Sequence, residues 1–185
     1  MIDILFLAAG TSGRILSISE GKPKPLIKIK RKSILKRNFE WVTRYKFVNN
    51  LWINIHFKPK LIINEFKLIS KNFNIKFSYE KNILGTAGAA KKIEKHLSEV
   101  FIVVYSDNLL NFDLSKFVNF HNNKKSDFSI ALYNPSKHLF SGIASSDVKI
   151  DKKNKILSFT EKKSDTRVNK KYINTGVYII NKKIL

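Results

Sequence analysis

Four short apolar runs divide the first hundred residues of this chain, and stretches with helical spacing separate them. Residues 2–9 are almost wholly apolar and end at Gly10. That pattern predicts a strand buried on both faces, as strands of a parallel sheet are. Ser33 caps a predicted helix whose apolar positions Leu35, Phe39, Val42 and Tyr45 share one face. Residues 51–57 read as the second strand, and a helix after Pro59 carries Leu61, Ile62, Phe66 and Ile69. Residues 75–79 form the third strand. A Gly-containing turn over 84–88 opens a helix through Ile93 and Leu97, and residues 100–105 form the most apolar strand of all. Strand and helix alternating in this way predict an α/β, Rossmann-like, three-layer open sheet. It is mostly parallel, with helices on both faces and right-handed crossovers.

Beyond Asp107 the texture changes. A helix at 114–120 precedes alternating strands at 127–133, 143–150 and 156–160, which predicts mixed pairing at one side of the sheet. Residues 172–180 give the last strand. No internal repeat or linker interrupts 1–185, so a single domain is expected. The longest apolar runs fall far short of the roughly 20 residues that cross a bilayer, so no membrane partner is expected. There is no basic leader and no cysteine, so a cytoplasmic location is expected.

The net charge of +21 raises the question of nucleic-acid binding. Ile, Lys, Asn and Phe together make up 86 of 185 residues, and AT-rich codons encode all four. Selection for phosphate contacts favours the bidentate fork of Arg, yet Lys outnumbers Arg six to one. The lysine doublets are also dispersed. Codon bias therefore accounts for most of the charge, and no nucleic-acid partner is expected. The residual field assists capture of small anionic substrates.

In an open α/β sheet, ligands bind outside the carboxyl ends of the strands. Gly10, the 80–88 turn and Asp107 all fall there. Gly10, Thr11, Ser12, Gly13 and Arg14 offer successive backbone N–H groups, small side chains and a cation, the ingredients of a phosphate cradle. Taken alone, they serve equally as a tight turn with an exposed Arg. Lys24 stands between Pro23 and Pro25, either a point charge held at fixed reach or an ordinary Pro-rich turn. Asp107 at the tip of the fourth strand suits Mg²⁺, which takes one or two carboxylates plus substrate phosphates, or else caps the next segment. His56, His96, His121 and His138 have no ligand-type spacing.

The order of these features narrows the choice. Leu7-Ala8-Ala9-Gly10 with Arg14, Pro23-Lys24-Pro25-Leu26, residues 84–89, Ser106-Asp107, Phe159-Thr160-Glu161-Lys162 and residues 173–178 together resemble the sugar-1-phosphate nucleotidyltransferases. The 85–89 stretch looks most like members that transfer GMP to mannose or heptose 1-phosphates. The resemblance implies a nucleoside triphosphate, with GTP favoured, a sugar 1-phosphate and Mg²⁺. It assigns Ala8, Ala9, Gly10, Thr11, Ser12, Gly13, Glu80, Gly85, Thr86, Ala87 and Gly88 to the nucleotide. Gly142, Glu161, Asn174 and Gly176 go to the sugar, and Arg14, Lys24, Asp107 and Lys162 to the reacting phosphates, with Asp107 on the metal. A nucleotide-binding half over about 1–110 and a sugar-binding part over about 111–185 follow, in a chain that can form a homo-oligomer.

The family's first loop usually reads LAAG-x-G-x-R, whereas Ser12 stands here at the second glycine. The resemblance also places a further segment, with a second metal-binding carboxylate, after the last strand, so Leu185 reads as a cut end. Two other readings remain at this level. One is a cytidylyltransferase for a non-sugar phosphate such as phosphocholine, which shares the first-loop and Pro-Lys-Pro signatures. The other is a basic RNA-binding module, which would need aromatic stacking motifs not visible in this pattern.

Overall fold

The computed structural model describes residues 1–11, 20–67, 73–134, 146–161 and 172–185. Ten strands and four helices are defined among them. In chain order these are β1 (Ile2–Leu7), β2 (Lys28–Ile29), β3 (Lys32–Ser33), α1 (Ile34–Val42), β4 (Val48–Ile55), α2 (Pro59–Phe66), β5 (Ile75–Tyr79) and α3 (Gly85–Lys92). Then follow β6 (Val100–Tyr105), α4 (Leu114–Asn123), β7 (Phe128–Tyr133), β8 (Ser146–Ile150), β9 (Ile156–Glu161) and β10 (Ile173–Asn181).

Six strands form one mostly parallel, mixed sheet in the order β5-β4-β1-β6-β10-β7. β1 runs parallel to both β4 and β6, and β4 runs parallel to β5. Ile4, Leu5 and Phe6 of β1 and Phe101 to Val104 of β6 are fully buried in succession. Consecutive side chains point to opposite faces, so both faces of the sheet centre are covered. The α/β expectation holds, and the order of its elements is as the apolar runs indicate.

The chain divides into two compact units, residues 1–129 with 178–185, and residues 130–177. In the second unit β8 and β9, expected at one side of the main sheet, form instead a separate two-stranded antiparallel sheet from Ser146 opposite Glu161 to Ile150 opposite Ile156, with an irregularity at Lys149/Ile150. Asp151 closes their turn by accepting from the backbone N–H groups of Lys153 and Lys155, both at 2.8 Å.

In the first unit, side-chain caps start two helices, the one at Ser33 as expected from sequence. Ser33 Oγ accepts from Lys36 N–H and donates to Glu65 at 2.7 Å. Asp113 accepts from Ser115 and Lys116 N–H at the start of α4. The helix expected to run through Ile93 and Leu97 ends instead at Lys92, and a 3₁₀ turn over Glu94–His96 follows. Ile93 N–H donates to Ala90 O and His96 N–H to Ile93 O, three-residue bonds that tighten the chain into the 3₁₀ turn. The β2–β3 hairpin was not expected. Its turn residues Lys30 and Arg31 have φ of 48° and 66°, a conformation usually signalled by Asn or Gly.

At the amino end of the sheet, buried Asp3 joins β1 to β4 and to the segment that leads into β6. Its carboxylate accepts from Asn49 Nδ2, Asn50 N–H, Asn50 Nδ2 and Ser98 N–H at 2.8–3.2 Å. Asp3 N–H in turn donates to Ser98 Oγ. Removing this hub leaves several buried donors without acceptors. Asp3→Ala is therefore expected to lower the unfolding free energy by about 2–4 kcal/mol in urea titrations. A change below about 0.5 kcal/mol, the range of ordinary surface substitutions, would contradict the assignment.

Candidate functional site

The carboxyl ends of β1, β4 and β6 open into a cleft of about 190 Å³, lined by Leu7, Ala8, Ala9, Gly10, Lys24, Pro25, Asn54, Ile83, Gly85, Thr86, Tyr105 and Asp107. Each wall has a local cause. β1 stops at Leu7 because the next N–H groups turn to a side chain: Asn54 Oδ1 accepts from Ala8 N–H at 2.6 Å and from Ala9 N–H at 3.2 Å. Pro23 precedes and Pro25 sits within a 3₁₀ turn over Lys24–Leu26, closed by Leu26 N–H to Pro23 O and Ile27 N–H to Lys24 O. That turn presents Lys24 at the cleft. On the far side, Ser106 N–H donates to Leu7 O at 3.2 Å, which carries the β1–β6 ladder to the residue before Asp107.

The loop after Asp107 is pinned to α1. Asn38 Nδ2 donates to Asn108 O, Trp41 Nε1 to Phe112 O, and Tyr45 accepts from Leu114 N–H. Lys24 Nζ lies 3.8 Å from Asp107 Oδ2, and the two side chains are 28% and 39% exposed. Such a half-open pair contributes little stability, below about 1 kcal/mol. Its consequence is instead a cation and an anion side by side in a cleft.

The wall at α3 depends on glycine twice. Gly85 has φ +72°, a left-handed conformation that a side chain would strain. Gly88 packs so closely that an added Cβ would lie 2.8 Å from Leu84 Cβ. Thr86 Oγ1 and Tyr105 OH are hydrogen-bonded at 3.1 Å and close the cleft between α3 and β6. Behind this wall Glu80 is buried. It accepts from Asn54 Nδ2 at 2.9 Å through one oxygen and from Leu84 N–H at 3.0 Å through the other. His56 Nδ1–H donates to its backbone carbonyl at 2.8 Å.

Of the residues singled out from sequence, Ala8, Ala9, Gly10, Lys24, Gly85, Thr86 and Asp107 thus meet in one cleft. Thr11 and Ala87 are exposed beside it in sequence, and Glu80 and Gly88 stand behind its wall. Arg14, Ser12, Gly13, Gly142 and Lys162 lie outside the described residues, as does the side chain of Glu161. Asn174 and Gly176 belong to the second unit. There Asn174 Oδ1 accepts from Gly176 N–H at 2.8 Å and Gly176 has φ +78°, a local break in β10. Sequence reasoning missed Asn54, Ile83 and Tyr105. The signal for Asn54 was a carboxamide near the carboxyl end of an otherwise apolar strand.

A model of the nucleotidyl transferase family matches residues 4–185. The chain belongs to this family. Among nucleotidyl transferase relatives, it is 29% identical over 184 residues to the bifunctional protein GlmU of Methanococcus aeolicus, covering 99% of this chain and 41% of that protein. It is 30% identical over 185 residues to the D-glycero-alpha-D-manno-heptose 1-phosphate guanylyltransferase of Campylobacter jejuni, covering 99% and 77%. The crystal structure of HddC from Yersinia pseudotuberculosis complexed with GMP-PN is similar with a TM-score of 0.79 at 28% identity, over 100% of this chain and 78% of that one. The chain spans about two fifths to one half of the first three curated relatives it matches.

Among the described residues other than its chain neighbours, no atom lies within 4 Å of a Cβ built at Gly10, and its φ is not left-handed. Gly10→Ala should therefore leave stability within about 1 kcal/mol, whereas Gly88→Ala should cost about 1–3 kcal/mol by overpacking Leu84. Thermal melts of the two variants check this. Equal melting temperatures would contradict the packing described for α3.

Proposed function

We propose that this chain carries the nucleotide site of a sugar-1-phosphate nucleotidyltransferase. A phosphate oxygen of the sugar 1-phosphate attacks the α-phosphorus of a nucleoside triphosphate in line. One P–O bond forms, the bond to the β-phosphate oxygen breaks, and pyrophosphate leaves. The observation that carries the reading is the meeting of Gly10, Lys24, Gly85, Thr86 and Asp107 in one cleft of a chain of this family.

In this reading the backbone of Gly10, Thr11, Ser12 and Gly13 holds the triphosphate, and Arg14 neutralises the leaving pyrophosphate. Lys24 stabilises charge developing at the α-phosphate, where a preorganised cation is worth most. Ala8, Ala9 and the 85–88 turn, backed by Glu80, face base and ribose. Small residues there let the ring approach the backbone. Lys162 binds the attacking phosphate, and Gly142, Glu161, Asn174 and Gly176 contact sugar hydroxyls. Guanine is the favoured base, supported by the heptose guanylyltransferase relative and the GMP-PN complex of HddC. In this reading the reaction runs in the cytoplasm and supplies activated sugars for envelope polysaccharide.

Among the described residues no group of three or more His, Cys, Asp or Glu converges on one point. A half-exposed carboxylate in a phosphate-sized cleft still fits Mg²⁺, which keeps waters and substrate phosphates as ligands. Asp107 would hold it, and the ion when bound supplies charge neutralisation at the phosphates. Asp107 and Lys24 hold their positions through the α1 contacts and the Pro-containing turn.

Purified chain is assayed for pyrophosphate release with GTP, UTP, CTP and dTTP against common sugar 1-phosphates, and with CTP and phosphocholine. Calorimetric nucleotide binding provides a readout that needs no acceptor. Release is expected only with Mg²⁺, GTP and a sugar 1-phosphate together. Asp107→Asn should lower it by roughly 10²–10³-fold with the fold retained. Absence of both nucleotide binding and turnover would overturn the reading, and turnover only with phosphocholine would replace the sugar.

A further inference from the structure

We propose that Asn54 is a positioning residue of the nucleotide site, holding the first loop and the α3 wall at a fixed separation through a hydrogen-bond relay that converges on the Glu80 carboxylate. The inference rests on the nucleotide-site reading above. Asn54 is 3% exposed, and its side chain spans three segments. Oδ1 accepts from Ala8 and Ala9 N–H, Nδ2 donates to Glu80 Oε1, and Glu80 Oε2 accepts from Leu84 N–H. Two backbone donors fix which end of the carboxamide is oxygen, so the nitrogen must face Glu80. The relay has N–H donors at both ends and a carboxylate as its last acceptor.

That polarity makes the site intolerant of an isosteric change. A carboxylate in place of the carboxamide still accepts from Ala8 and Ala9, but it meets Glu80 oxygen to oxygen. The pair must then separate or share a proton. Separation moves Gly10 away from Gly85, the two positions that bracket the cleft. The relay therefore sets nucleotide affinity by preorganisation and touches no reacting atom. Reversing the partner restores every bond. With Glu80→Gln added, the new amide donates to the introduced carboxylate and its oxygen accepts from Leu84 N–H.

The test titrates Mg²⁺ with GTP, UTP, CTP or dTTP into wild type, Asn54→Asp, Glu80→Gln and the double variant, with thermal melts as fold control. Near pH 8, Asn54→Asp should bind the preferred nucleotide about tenfold or more weakly, the scale of one lost hydrogen bond to a charged group. The double variant should return to within about threefold of wild type, a rescue that a merely structural role gives no reason to expect. Should Asn54→Asp fail to fold, Glu80→Gln against the double variant carries the same comparison. Wild-type binding with an unaffected Asn54→Asp, or a folded double variant no better than either single one, overturns the relay alone. Wild type that binds none of the four nucleotides overturns the nucleotide site as well.

Discussion

One buried carboxamide determines how the carboxyl end of this sheet is built. The parallel ladder between β1 and β4 ends where Asn54 turns its side chain across to Ala8 and Ala9 and takes the place of the next backbone acceptor. Without such an acceptor, two buried N–H groups would be left unpaired at a cost of about 1–3 kcal/mol each. The same side chain reaches Glu80, whose second oxygen holds Leu84 at the start of α3. Strand end, first loop and helix start are therefore tied to one another without a ligand. At the opposite end, Asp3 does the equivalent work for β1, β4 and the segment that leads into β6. The central strand is thus clamped at both ends by a buried polar group.

The division of charge follows from this arrangement. A net +21 gives the protein a field that attracts anions in general, but a field does not select a site. In the proposed reading, selection comes from one lysine on a Pro-containing turn and one aspartate on a pinned loop, 3.8 Å apart in the cleft. A phosphate chain can take Lys24 as counterion while leaving Asp107 for a hard cation. That exchange is the electrostatic basis for reading the cleft as a nucleotide site rather than as part of a general basic surface.

Much of this was legible in the residues. Unbroken burial of β1 and β6 follows from their unbroken apolarity, and strand ends in an α/β sheet point directly to Gly10 and Asp107. Ser33 and Pro59 announced their helices because capping and a fixed φ act locally. What stayed hidden acts at a distance. Asn54 reads in sequence as a blemish in an apolar strand, and only the β1–β4 register turns it toward Ala8. Glu80 reads as a cleft residue, yet its partners Asn54 and Leu84 draw it behind the wall. The β2–β3 turn carries Lys30 and Arg31 at positive φ, so the glycine or asparagine that would have signalled it is absent.

The claim on which the rest depends is that nucleotide occupies the cleft at the carboxyl end of β1. Backbone amide chemical shifts of uniformly ¹⁵N-labelled protein, followed during titration with Mg²⁺ and a non-hydrolysable GTP analogue, test it most directly. Saturable changes should concentrate on Gly10, Thr11, Gly85, Thr86 and Asp107, while Asn50 and Ser98 at the Asp3 end stay in place. Changes spread over the lysine-rich surface, or centred on the Asp3 end, would contradict it.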